Sequence, residues 1–141
     1  MSSSLRACVR GAVGAMAMTG LRRITTTLGL VRETPPESVV EEAASGLLAR
    51  VPAERRPLVI EAAHISYGMG GGVAFGLLPG SMRRAPGSGV VYGIASWLAF
   101  DRVIAPVLGL PQATEPKLSE RLALLADHIL YGLIVAGGSR P

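Results

Sequence analysis

The chain has 141 residues, of which 49% are hydrophobic and only 17% charged, with a net charge of +4 and a mean hydropathy of +0.41. A soluble domain normally carries about 25% charge, so a water-facing surface is under-provided, and the length fits one domain spanning residues 1–141. The single cysteine, Cys8, excludes an internal disulfide or a cysteine-based metal site, and the lack of a basic–aromatic cluster argues against nucleic acid as a partner.

Residues 5–30 form the first predicted membrane span. Arg10, Arg22 and Arg23 interrupt it, and Arg6 and Arg10 ahead of a short apolar run also resemble a signal-peptide start. Apolar character resumes beyond Arg23, so a retained helix is the expectation. A connecting helix is predicted over residues 35–50. Thr34 suits its N-cap, with Pro35 at the first helical position and Glu37 at capping-box spacing. Val39, Val40, Ala43, Ala44, Leu47 and Leu48 form its apolar stripe, which would lie over the bundle at the membrane surface. Residues 58–78 and 89–110 are the clearest spans, bounded by Pro57, Pro79 and Pro111, and residues 118–137 form the fourth. Each is close to the roughly 20 residues that cross about 30 Å of hydrocarbon.

Two echoes relate the halves. His64-Ile65-Ser66-Tyr67-Gly68 returns as His128-Ile129-Leu130-Tyr131-Gly132, and Leu28-Gly29-Leu30 returns as Leu108-Gly109-Leu110. The predicted fold is therefore an all-α integral membrane four-helix bundle, built from two parallel repeats of a two-helix unit with one amphipathic surface helix. Two spans per repeat place both units in the same orientation, related by an axis along the membrane normal. Short, purely basic loops favour cytoplasmic N- and C-termini in a bacterial inner membrane.

Gly68, Gly72 and Gly76 follow His64 every four residues, and Gly132 and Ala136 follow His128 likewise. Small residues at this spacing form a helix-packing face, expected to be used inside the bundle. Arg22, Glu61, His64, Tyr67, Asp101, Arg102, Asp127, His128 and Tyr131 fall within one half of the bilayer and predict a buried polar layer. Ionisable groups in hydrocarbon cost about 2.5–3.5 kcal/mol each on insertion scales, so they should face inward and pair.

Three functions are compatible with this pattern. The leading expectation is a structural or accessory membrane protein whose polar layer stabilises the bundle. The alternative is proton relay or small-solute transport centred on His64 and His128. The least favoured is a haem or metal held by the same two histidines, which are weak cofactor-binding candidates. No catalytic motif, metal ligand set or resident cofactor is expected, since the Gly68–Gly72 run lacks the Lys-Ser/Thr of a phosphate loop. The expected partner is the lipid bilayer, with self-association or a partner membrane protein left open.

The run from Ala63-His64 to Phe75-Gly76, the Pro106-Val107-Leu108-Gly109-Leu110-Pro111 corner and the helix from Glu120 to His128 resemble the YagU-like bacterial inner-membrane proteins. That resemblance implies an integral membrane location and carries no activity or site residues with it. The chain departs from it in the arginines of its first helix and in lacking a histidine in its third.

Overall fold

In the computed structural model, which describes residues 3–31, 35–110 and 117–137, the chain is all-helical, with no strand among these residues. The elements are α1 (Ser3–Thr27), α2 (Pro35–Leu48), a 3-10 turn (Ala53–Arg55), α3 (Arg56–Leu77), α4 (Gly80–Arg84), α5 (Ser88–Ala99), a π turn (Phe100–Ile104), α6 (Ala105–Val107) and α7 (Leu118–Ala136). The expected Thr34 cap and Pro111 corner lie outside the described residues.

The four long helices start and stop close to the predicted spans for visible reasons. Pro57 stands in the first turn of α3, where its missing N–H is no loss. At the far end of α1 and of α6, Gly29 and Gly109 adopt left-handed backbone with φ of 70° and 64°. There the Leu30 amide bonds the Thr25 carbonyl and the Leu110 amide bonds the Ala105 carbonyl, both at 2.9 Å. These are the same glycine-dependent helix stop made twice.

Within each repeat the two helices approach at small residues. A Cβ at Gly72 would collide with the backbone of Ala7 and Gly11, and one at Gly68 would lie 2.6 Å from the Ala15 Cβ. A Cβ at Gly76 would lie 2.9 Å from the Ala7 Cβ, so Gly68, Gly72 and Gly76 of α3 pack on α1. In the second repeat Gly132 meets the backbone of Gly89 and Gly93, while Ala136 abuts Gly89.

The two pairs join unequally. α1 packs along α7, whereas α3 and α5 meet chiefly through Tyr92, whose hydroxyl donates to the Gly71 carbonyl at 2.6 Å. Tyr92 also packs edge-on against Phe75, with ring centroids 5.0 Å apart. Beyond that level α3 and α5 stand apart.

One expectation needs correction. The stripe of α2 does not run its full length: the backbone leaves helical geometry at Ala44 (φ −137°, ψ 28°), Leu48 is buried, and Ala43 and Leu47 are exposed. The break at Ala44 interrupts the face, which regains the core only at Leu48. Among the described residues, only the continuous helix Ser88–Val107 is long and apolar enough, by length and composition, to cross a membrane. α1 and α7 are diluted by their ionisable residues, and α3 by Glu61, His64 and its glycines.

Candidate functional site: a histidine-lined cavity between the repeats

The gap between α3 and α5 is a cavity of about 640 Å³. Tyrosines form its floor. The Tyr131 hydroxyl donates to the Gly68 carbonyl at 2.6 Å, and the ring passes Gly14 of α1, where a Cβ would lie 2.7 Å from its edge. With Tyr92, this props the second repeat against α3 at one level. At the other end Pro36, Val39 and Val40 of α2 close the space. Val39 also packs on a cluster of Phe100, Ala105 and Leu110, so α2 bridges from α3 to the end of the α5–α6 helix.

Both histidines line this cavity, as does Arg22. The His128 Nδ1 donates to the Leu124 carbonyl at 2.7 Å. A carbonyl only accepts, so Nδ1 carries the proton and Nε2 is the basic nitrogen of the neutral ring. Thr19 directs His64 in the same sense. Its single hydroxyl proton goes to Glu61 Oε1 at 2.9 Å, leaving the oxygen to accept from His64 Nδ1 at 3.3 Å. Two different anchors thus leave the same nitrogen available on each ring. Phe100 stands beside His128, with ring centroids 6.1 Å apart.

Behind the histidines lies the most buried polar pair. Arg22 on α1 is 5% exposed and Asp127 on α7 is 1% exposed. The Arg22 Nε lies 3.4 Å from Asp127 Oδ2, and neither Arg22 Nε nor Asp127 Oδ1 has a hydrogen-bond partner among the described residues. The ion pair therefore balances charge across the repeat interface without filling its hydrogen-bonding capacity.

The nine residues expected in one polar layer fall into distinct groups. Arg22, Asp127, Glu61, His64, His128 and Tyr131 gather around the cavity or the interface behind it. Asp101 belongs to a separate cluster on the π turn and α7, bonded by Arg121 at 2.8 Å and approached by Arg102 at 3.2 Å. Arg102 is not buried: its side chain is 70% exposed. The π turn that contains it widens the helix and changes the facing of the residues beyond. Tyr67 and Tyr131, equal in sequence, differ in setting. Tyr131 is 5% exposed in the α1–α7 interface, while Tyr67 is 65% exposed at the mouth of the cavity, since α5 does not close on α3.

Thr19, Tyr92 and Phe100 are site residues outside the layer expected from the sequence, and Arg121 belongs to the separate Asp101 cluster. Thr19 carried no repeat signal, and Tyr92 and Phe100 read as ordinary members of an apolar span. Arg121 was visible only as a charge in the first turn of its helix. Among the described residues no group of three His, Cys, Asp or Glu side chains is placed to hold a metal ion. No family model, curated protein or solved structure matches the chain.

Proposed function

We propose that this chain is a four-span membrane protein, as the YagU-like resemblance implies, and that it binds a small lipophilic molecule in the cavity between its repeats. The cavity carries this reading. Its volume of about 640 Å³ falls in the range of small-molecule sites, and its wall is mostly glycine, alanine, valine and aromatic carbon with a few convergent polar groups.

The membrane placement is supported by an inverted distribution of polarity. Leu5, Val9, Val13 and Met16 on α1, Val91 and Leu98 on α5, and Leu122 and Leu133 on α7 are exposed, while Arg22 and Asp127 are buried. Along Ser88–Val107 only 17% of the apolar stretch is buried within the molecule. Water would disfavour such a surface, whereas hydrocarbon suits it and turns ionisable groups inward. The stabilising role of the polar groups then lies in the Arg22–Asp127 pair and the tyrosine props, which frame the cavity.

Gly70 provides the test. It lines the cavity, and a Cβ there would meet nothing within 4 Å, so Gly70→Leu adds bulk to the mouth without disturbing a helix contact. Native mass spectrometry of protein extracted in mild detergent should find a small molecule bound to the wild type, with its occupancy falling at least about tenfold in Gly70→Leu. Equal occupancy in the two proteins, or none in either, would overturn the binding role.

A further inference from the structure

Four features of the cavity converge on one ligand chemistry. His64 and His128 belong to α3 and α7, which α1 separates along most of their length, so the rings enter the cavity from different walls. Each ring has Nδ1 committed to an oxygen acceptor, Thr19 Oγ1 for one and the Leu124 carbonyl for the other, which leaves Nε2 as the basic nitrogen. Histidines that ligate metals are oriented in this way, the outer N–H anchored and the inner nitrogen free. A bare ion is poorly served, because among the described residues no third His, Cys, Asp or Glu side chain joins the two. A metal held here must bring its other ligands with it.

We infer that the cavity is a site for an iron porphyrin, with His64 and His128 as its two axial ligands. This inference rests on the cavity-binding reading and names the ligand class for it. A porphyrin supplies four equatorial nitrogens, so two imidazoles complete six-coordination. Its flat apolar faces match walls built of Gly68, Gly70, Gly71 and Ala99, and Phe100 offers a ring at the edge beside His128. Arg22, which lines the cavity with its side chain 7% exposed, is the cation that the porphyrin's carboxylates would meet, in addition to the ion pair that Arg22 Nε makes with Asp127 at 3.4 Å. The slot between α3 and α5 gives a planar molecule an edge-on route, since Ala63, Tyr67, Gly70 and Ala74 line it while remaining exposed along one face of α3.

Titration of the detergent-purified full chain with haemin tests the inference. The expected result is one haemin per chain with the absorption and electron paramagnetic resonance of a six-coordinate, low-spin iron. His64→Ala and His128→Ala should each weaken binding by about tenfold or more and convert the iron to a high-spin form. Because loss of binding in an alanine variant can also reflect misfolding, His128→Met supplies the second measurement. Thioether ligation should keep the iron six-coordinate and raise its reduction potential. Haemin that fails to bind, or that binds the wild type and both alanine variants with the same spectrum, overturns the inference. If haemin fails while Gly70→Leu still displaces another bound molecule, the porphyrin is wrong and the cavity-binding reading stands. If neither is seen, both fall.

Discussion

Arg22 and Asp127 face each other across the seam between the repeats, and both are nearly sealed from solvent. A charge left alone in such surroundings is far less stable than a charge paired, whereas an apolar pair of similar volume can be as stable as the ion pair. Arg22→Met alone and Asp127→Leu alone should therefore each lower the unfolding free energy in detergent by about 3 kcal/mol. The double variant should recover most of that loss. Denaturant titration of the three proteins measures this, and additive losses in the double variant would mean that the two groups do not act as a pair. The histidines show how much of the site one residue's surroundings decide. The repeated pentapeptide identified both of them, but only Thr19 and the Leu124 carbonyl fix which nitrogen each ring keeps available. One is a hydroxyl on another helix and the other a backbone carbonyl that every residue carries, so no comparison of the two halves would find them.

The long helices were readable in the sequence because their boundaries rest on local chemistry. Pro57 opens α3, and the paired Leu-Gly-Leu stops depend on glycine adopting positive φ. The GxxxG spacing of α3 likewise identified the face that packs on α1. The π turn and the kink at Ala44 were not readable, since each arises from the fit between elements rather than from a local signal. The π turn coincides with a difference in length between the two helix pairs. The interval from Gly93 to Gly109 is longer than that from Ala15 to Gly29, although the small-residue contacts and the helix stops are shared, and a wider turn takes up part of the surplus. Helix contact itself gives a direct prediction. A Cβ at Gly93 would lie 2.7 Å from the Ile129 Cα and closer still to the His128 carbonyl, both backbone atoms that cannot rotate away. Gly93→Ala should destabilise the α5–α7 pair by about 1–3 kcal/mol. Gly20→Ala, with open space around it, should leave the thermal transition in detergent unchanged or slightly raised.

Across the molecule, the likeness suggested by the sequence echoes is followed inside each helix pair and broken between the pairs. Sequence echo predicts like units; it carries no information on whether both junctions between them close. Here α1–α7 closes and α3–α5 does not, which separates the fates of Tyr131 and Tyr67. The exposed apolar belt on the long helices makes a cellular prediction. The protein should remain with the membrane fraction after an alkaline carbonate wash that strips peripheral proteins, and it should be released by detergent. Release by carbonate alone would contradict the four-span placement. That placement gives the unclosed junction a further meaning. Under the proposed four-span placement the slot, which follows α3 from Ala63 to Ala74 and opens sideways, would face lipid rather than either aqueous compartment. A molecule reaching the histidines by that route would first dissolve in the bilayer and then approach by diffusion in two dimensions. Its abundance at the slot would follow its oil–water partition coefficient, and a purely water-soluble compound would be excluded before meeting a single side chain.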